Sequence, residues 1–273
     1  MTAVKLGVRA IIFTRNHPVE EAARLIAGHG LEGVQVPTWY QEHEQYNTRH
    51  PEMNPAAFPE EVAASIRTAF ESAGLATWAM DSYNNVSAAD DELRGIAVNS
   101  MLKSIASAGR FGCDTIVTES GRRDVGGFER CVASFREIMP VAEQAGVTVC
   151  VEPSYAQSVP NAWTMRGLIE EVGSPNLKVL LDPANILVYD ATGRPFEVLG
   201  ADIVLAHAKD CTVDEKGTPG FPSAGEGQVD WPRFIERLLA QGEVPLIIEY
   251  AREDTIGGVI DFLRGVIAEV EGN

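Results

Sequence analysis

Four apolar stretches in the second half of the sequence each end in a residue that can bind a metal ion. Their final residues are Glu152, Asp182, His207 and Glu249. Such stretches are typical of strands in a parallel sheet that is covered on both faces, where polar groups appear at the C-terminal, ligand-facing end. Three carboxylates and one imidazole suit a divalent cation of moderate hardness. The four residues together therefore predict a metal site.

Taken singly, each of these residues has a simpler structural explanation. A glutamate at a strand end is commonly a solvated cap or a salt-bridge partner, and a lone histidine is more often structural than a ligand. Placed together without a cation, however, the acids would repel one another or need shifted pKa values. The combination therefore favours a metal site.

Lys209 lies two residues after His207 and shares its face of the predicted strand. Its ammonium group could donate a hydrogen bond to a substrate oxygen. It could equally pair with a ligating carboxylate or with Asp210, and the sequence leaves both roles open.

The strands that carry these residues belong to an alternation that runs along the whole chain. Amphipathic stretches typical of helices separate eight stretches typical of buried strands. The predicted strands are residues 5–13, 33–36, 75–80, 113–118, 147–151, 177–181, 202–206 and 244–248. Eight such units favour a closed barrel over an open sheet, with the active site at the C-terminal ends of the strands. We therefore expect a single (β/α)8 TIM barrel domain over residues 1–273.

Composition and charge exclude several classes of partner. The 273 residues include 22 Lys and Arg against 39 Asp and Glu, a net charge of −17 that would repel a nucleic-acid backbone. The N-terminus lacks the pattern of a signal peptide, and no apolar stretch reaches the roughly 18 residues of a membrane span. The four cysteines form no CxxC pair and are expected as free thiols. We expect a cytoplasmic protein that binds neither nucleic acid nor membranes.

Two residues near other strand ends could contact a bound sugar. Trp39 follows the second predicted strand, where its ring could pack against a sugar, although packing in the core explains it equally well. Arg252 follows the eighth strand and could bind a phosphate, although a surface position is the simpler explanation. Because no glycine-rich phosphate loop accompanies it, a phosphate ester and an unphosphorylated sugar or keto-polyol both remain open.

Several short motifs resemble those of a known family. They are VEP at Glu152, LLDPAN at Asp182, HAKD at His207, IIEY at Glu249 and GEGQVDW at residues 225–231. They resemble the sugar phosphate isomerase/epimerase superfamily, the xylose isomerase-like TIM barrels. The resemblance implies a divalent metal held by the four strand-end residues. Mn²⁺ is the favoured ion, with Mg²⁺, Co²⁺ or Zn²⁺ as alternatives. It also implies a small-molecule sugar or keto-polyol substrate and a homo-oligomer, either a dimer or a tetramer.

By the same resemblance, Glu152 and Glu249 are both metal ligands and the catalytic acid/base pair. Removing a proton next to a carbonyl leaves an enediolate, which a metal on the carbonyl and hydroxyl oxygens stabilises. One glutamate would take the proton and the other would return it to the opposite face, which inverts the carbon. The predicted activity is therefore a metal-dependent isomerase or epimerase of a ketose, sugar phosphate or keto-polyol.

Asn185 stands three residues after Asp182, where many members of this superfamily carry a histidine. Some sugar phosphate epimerases of the superfamily have the same D-x-x-N pattern, so the four-residue site stays intact and Asn185 is a candidate substrate-binding residue. The change disfavours the endonuclease IV branch, whose three-metal cluster uses more histidines. His207 is the only histidine in the second half of the chain.

A second predicted activity keeps the metal and changes the reaction to that of a lyase. The same enediolate can expel a β-substituent, as in a keto-inositol dehydratase or the metal-bearing subunit of a C-glycoside-cleaving enzyme. The long loop at residues 41–55, with His43 and His50, would supply the additional acid or act as a lid. A sugar-binding barrel without activity is disfavoured because all four ligand positions are filled.

Overall fold

Parallel strands form the centre of the computed structural model, which describes residues 4–47, 55–123, 127–187 and 194–272. The strands are β1 (Leu6–Arg9), β2 (Gly33–Val36), β3 (Ala76–Asp81), β4 (Thr115–Glu119), β5 (Thr148–Glu152), β6 (Leu177–Leu181), β7 (Ile203–Ala208), β8 (Thr212–Val213), β9 (Pro219–Gly220) and β10 (Leu246–Ile248). Eight of them close a barrel in the order β1-β10-β7-β6-β5-β4-β3-β2, and β8 and β9 form a separate antiparallel pair. The predicted (β/α)8 TIM barrel is confirmed.

Helices cover the outside of the barrel. They are α1 (Ile11–Thr14), α2 (Val19–Gly28), α3 (Glu60–Ser72), α4 (Asp91–Ser107), α5 (Gly127–Ala145), α6 (Ala162–Val172), α7 (Pro183–Leu187), α8 (Pro195–Leu199), α9 (Trp231–Leu239) and α10 (Ile256–Gly272). Side chains cap several of their first turns: the Asp90 carboxylate accepts from the Leu93 amide, and Asn161 and Thr164 form a capping box. None of the helices in the described ranges is long and apolar enough to cross a membrane.

The first predicted strand, residues 5–13, is wrong at its C-terminal end. β1 stops at Arg9, Ala10 adopts right-handed helical angles, and the Phe13 and Thr14 amides donate to its carbonyl oxygen. The side chains of Ile12 and Phe13 are buried all the same. A short apolar run cannot distinguish a buried strand from a buried helical turn, so the sequence pattern continued past the true end of the strand.

The barrel interior contains an apolar layer with a polar layer directly above it. Six residues on six strands pack together as the apolar layer: Ala79, Val117, Cys150, Leu180, Leu205 and Ile247. Because alternate residues of a strand share a face, the residues two positions further on form the C-terminal rim. On β1 and β2 the corresponding positions of the apolar layer are occupied by Gly7, two residues before Arg9, and by Gly33, two residues before Gln35. The eight rim residues are therefore Arg9, Gln35, Asp81, Glu119, Glu152, Asp182, His207 and Glu249.

Trp78 fills the barrel interior beside the two glycines. The register between β2 and β3 shifts at Val34/Gln35, which leaves Trp78 as an extra residue on β3. A Cβ atom at either Gly7 or Gly33 would overlap the Trp78 indole. These contacts place the Trp78 ring in the packing of the barrel core.

We expect Gly33→Ala to lower the free energy of unfolding by about 1–3 kcal/mol, because overfilling a packed core forces neighbouring side chains to move. Gly28→Ala is the matched control, since an added Cβ at this helix end meets no atom within 4 Å. Chemical denaturation of both variants measures the effect. Equal stability of the two variants would contradict the packing described for Trp78.

Candidate metal centre

Glu152, Asp182, His207 and Glu249 come together at the C-terminal rim. Each offers one ligand atom, and these atoms all lie within 4.8 Å of one another. All four residues are buried. They belong to, or directly follow, the neighbouring strands β5, β6, β7 and β10, so the barrel order explains why residues almost a hundred positions apart in sequence meet.

The donor atoms of this cluster fit a divalent cation. His207 Nδ1 has no hydrogen-bond partner among the described residues. The nearest carboxylate oxygens lie 3.3 Å away on Glu249, 3.7 Å away on Glu152 and 4.0 Å away on Asp182. Buried nitrogen and oxygen atoms normally have a hydrogen-bond partner or a metal ion. A cation bound by all four residues would satisfy this nitrogen and neutralise the surrounding oxygens.

The pKa values of the cluster are displaced in opposite directions. Burial raises the pKa of Asp182 to about 7, although the charge of Lys209 opposes the change. Burial lowers the pKa of His207, but the charges of Glu249 and Glu152 outweigh this effect and raise it to about 10. For Glu249, burial raises the pKa, but the positive charges of His207, Lys209 and Arg9 together hold it well below its ordinary value. In the absence of a metal ion, both nitrogens of the His207 ring therefore carry a proton at neutral pH, and the ring is positively charged.

Lys209 contacts the same carboxylates. Its Nζ atom lies 2.6 Å from Asp182 Oδ2 and 3.3 Å from Glu249 Oε2. The ammonium group also lies 5.3 Å from the ring centroid of Phe221 and 5.1 Å from that of Tyr250, within the range of a cation–π contact. The carboxylate pairing considered from the sequence is thus present, and contact between Lys209 and a substrate stays a prediction.

Three rim residues that the sequence reasoning missed connect two of the candidate ligands. Arg9 donates to Glu249 Oε1 at 2.5 Å and to Asp81 Oδ2 at 2.7 Å. Gln35 Nε2 donates to Asp81 Oδ1 at 2.6 Å, and Gln35 Oε1 lies 2.9 Å from His207 Nε2. This series of contacts runs from Glu249 to His207 across the rim and fixes both side chains. Each of these three residues lies two positions after a residue of the interior layer on its own strand, and this spacing is the sequence feature that could have revealed them.

Asn185 holds Glu152. Its side-chain amide donates to Glu152 Oε1 at 2.5 Å, and its backbone amide, like that of Ala184, donates to Asp182 Oδ1. The first turn of α7 thereby fixes both carboxylates. Asn185 also lines the adjoining cavity, so its predicted contact with substrate stays open.

A cavity of about 360 Å³ lies over the cluster, and aromatic rings form part of its wall. The rings of Tyr155 and Phe221 stack at a centroid distance of 5.9 Å, and Tyr250 lies 6.2 Å beyond Phe221. Tyr250 follows Glu249 directly and is 57% exposed. Its φ of 56° is the one positive value at a non-glycine residue in the described ranges, a conformation that costs about 1 kcal/mol or more. Aromatic side chains combined with a few polar groups are typical of pockets that bind small molecules.

Glu119 is a further carboxylate in this cavity that the sequence reasoning missed, because the predicted strand ended at Thr118. It accepts a hydrogen bond of 2.8 Å from Gln157 Nε2. Burial, followed by the charge of Glu152, raises its pKa to about 7. Glu119 therefore exchanges protons easily near neutral pH.

Two other predicted contact residues lie further from the cluster. Trp39 is half-buried in the segment after β2 and is not among the described residues that line the cavity. Arg252 is exposed and pairs with Asp254. It lines a neighbouring cavity that also reaches Arg9 and Glu249. Their roles in substrate binding stay predictions.

The loop predicted at residues 41–55 is described only in part. Residues Gln41–Tyr46 form a 3-10 helix, and residues 48–54, including His50, lie outside the described ranges. His43 packs among the rings of Tyr40, Tyr46 and Phe58. These aromatic contacts account for the position of His43, and its role as an additional acid stays a prediction.

Comparison with known proteins agrees with this architecture. The sequence model of the xylose isomerase-like TIM barrel family matches residues 23–266. The chain belongs to this family. No curated protein matches the sequence significantly.

Similar folds occur in solved structures of sugar-converting enzymes. They include 3-keto-D-glucoside 4-epimerase from E. coli (TM-score 0.75, 15% identity, 96% of this chain and 99% of that one) and D-psicose 3-epimerase from Clostridium cellulolyticum (0.74, 16%, 97% and 99%). A probable 3-DHS dehydratase from Bacillus anthracis is also similar (0.72, 16%, 97% and 99%). At these identities the likeness shows a shared fold.

We expect Mn²⁺ binding at pH 8 to release about one proton, because Asp182, with a pKa of about 7, is already ionised there. The raised pKa means that His207 keeps its second ring proton up to about pH 10, and Nδ1 must lose its proton to bind a metal. Affinity should therefore rise about tenfold per pH unit between pH 8 and pH 9. Calorimetry in two buffers with different ionisation enthalpies counts the protons. Tight binding without proton release would contradict the pKa of His207.

Proposed function

We propose that the protein is a divalent-metal-dependent isomerase or epimerase that acts on a ketose or a related keto-polyol. The observation that carries this proposal is the placement of the two glutamates. In the strand order β10, β7, β6, β5, the residues of the cluster follow as Glu249, His207, Asp182 and Glu152. The glutamates are therefore outermost, which suits two carboxylates that act on opposite faces of one carbon.

A divalent cation bound by the four residues would supply a Lewis acid that stabilises the negative charge developing on the substrate oxygens, and Mn²⁺ is the favoured ion. The chain itself supplies the proton carriers. One of Glu152 and Glu249 would take the proton next to the carbonyl, and the other would return a proton from the opposite side. Asn185 holds the Glu152 carboxylate and Arg9 holds that of Glu249, so each carboxylate has a fixed orientation.

The cavity supports an unphosphorylated substrate. The cations among its described lining residues, Arg9 and Lys209, both contact carboxylates already. The rings of Tyr155, Phe221 and Tyr250 offer apolar faces that suit the C–H face of a sugar. A phosphate group would need cations that carboxylates do not hold.

The direct test is solvent exchange. Free and phosphorylated ketoses are incubated with the protein and Mn²⁺ in D₂O and followed by NMR. We expect deuterium to enter at one carbon of an unphosphorylated ketose or keto-polyol, together with formation of its epimer or isomer. Absence of exchange with every substrate of a broad panel would overturn the proposal.

The two glutamates should differ from Asp182 in their response to metal. Glu152→Gln and Glu249→Gln keep a carbonyl oxygen for the metal but cannot carry a proton. We expect their activity to stay about a hundredfold or more below that of the wild type at saturating Mn²⁺. Asp182→Asn is the control, because a ligand role alone allows excess Mn²⁺ to restore activity in part. Equal restoration of all three variants would remove the proton-transfer role and leave the metal site.

A lyase that expels a β-substituent is the second candidate, and Glu119 favours it. Glu119 is a third carboxyl group in the cavity, beside those of Glu152 and Glu249. Its pKa of about 7 suits an acid that protonates a leaving group. A product with a new double bond, absent in Glu119→Gln, would favour the lyase over the epimerase.

The dimer or tetramer that the family resemblance implies is a separate expectation, which light scattering measures.

A further inference from the structure

The orientation of His207 depends on Gln35, a residue outside the ligand cluster. Gln35 lies on β2, three strands away from β7 around the barrel. Its side chain is fully buried and reaches across the rim to His207, with 2.9 Å between Gln35 Oε1 and His207 Nε2. A buried amide in this position has two possible orientations, and its other neighbours decide between them.

Charge fixes the amide of Gln35. Its other end lies 2.6 Å from Asp81 Oδ1 and 3.2 Å from the Tyr83 hydroxyl. Arg9 donates to the second oxygen of Asp81 in an ion pair, so this carboxylate only accepts hydrogen bonds. The NH₂ group of Gln35 must therefore face Asp81, because the opposite orientation would place two oxygens in contact. The carbonyl oxygen of Gln35 then faces His207.

This orientation determines which ring nitrogen of His207 carries hydrogen. A carbonyl oxygen can only accept, so His207 Nε2 is the donor in this contact. In the neutral ring the other nitrogen, Nδ1, then keeps its lone pair. Nδ1 faces oxygen atoms of Glu249 and Glu152 at 3.3 and 3.7 Å, and without Gln35 these oxygens would favour a proton on Nδ1 instead.

We infer that Gln35 is a positioning residue that selects the Nε2–H form of His207 and thereby presents Nδ1 to a divalent cation. Arg9 and Asp81 act through Gln35, since they orient its amide. The inference rests on the metal site of the proposed function. It adds a residue from the far side of the barrel that controls metal affinity without binding the metal.

Metal affinity tests this role directly. Calorimetric titration with Mn²⁺ compares the wild type with Gln35→Leu and with Gln157→Leu. Gln157 is the control, because it undergoes the same change beside the cluster but donates to Glu119, which is not a ligand. We expect Gln35→Leu to weaken Mn²⁺ binding by about 10- to 100-fold, the usual effect of removing the outer partner of a metal-binding histidine. Binding by Gln157→Leu should be unchanged.

A second measurement on the wild type does not depend on the folding of any variant. With Mg²⁺ bound and histidine labelled with ¹⁵N, His207 should show a protonated Nε2 whose hydrogen exchanges slowly with water. In Gln35→Leu the same hydrogen should exchange faster. A wild-type spectrum with the hydrogen on Nδ1 would overturn the inference.

The outcomes separate this inference from the proposed function. If the wild type fails to bind Mn²⁺, the metal site is wrong and the role of Gln35 is wrong with it. If the wild type binds Mn²⁺ and Gln35→Leu binds it equally well, only the role of Gln35 is overturned. An equal loss in both variants also overturns it, because the effect would then come from general damage around the cluster.

Discussion

Buried negative charge at the C-terminal rim is the constraint on which the rest of the site depends. Glu152, Asp182 and Glu249 lie within 4.8 Å of one another together with His207, and Asp81 is buried beside them. An unpaired buried carboxylate costs several kcal/mol, so such a group persists only with cations or donors placed around it. Arg9 and Lys209 are nearly buried cations, and each contacts two or more of these carboxylates. Removing Arg9 would break the ion pair of Asp81, and removing Lys209 would break that of Asp182, whereas Glu249 contacts both cations.

The barrel meets this constraint through the two-residue period of its strands. A shift of one residue in any strand would turn its rim side chain outward and an outer side chain inward. The apolar layer below the rim prevents such a shift, because Ala79, Val117, Cys150, Leu180, Leu205 and Ile247 fill the interior together. Gly7 and Gly33 belong to the same layer, where Trp78 takes the space that their missing side chains leave. The packing of the interior thus sets the geometry of the charged rim.

The sequence revealed the fold and half of the rim, for reasons that differ from strand to strand. The strands before Asp182 and Glu249 are apolar up to an abrupt charge, which marks the strand end clearly. Arg9 was hidden because apolar residues continue through the helical turn to Phe13. Gln35 lies inside a strand of four residues, too short to show a period. In a strand that is buried on both faces, composition does not reveal which residues face the barrel interior.

The charges of the assembled rim bear on the kind of substrate that it can accept. Four buried carboxylates, from Asp81, Glu152, Asp182 and Glu249, stand against Arg9 and Lys209, and a divalent cation would bring these buried charges to about zero. The fifth rim carboxyl group, that of Glu119, has a pKa of about 7 and adds only about half a negative charge at neutral pH. A neutral sugar enters such a site without adding net charge, whereas a phosphate ester adds about two negative charges to a buried, low-dielectric region. Within such a site, a bound divalent cation would stabilise the negative charge that the proposed proton transfer develops on the substrate. The balance of charge and the aromatic wall of the cavity therefore favour the same class of substrate.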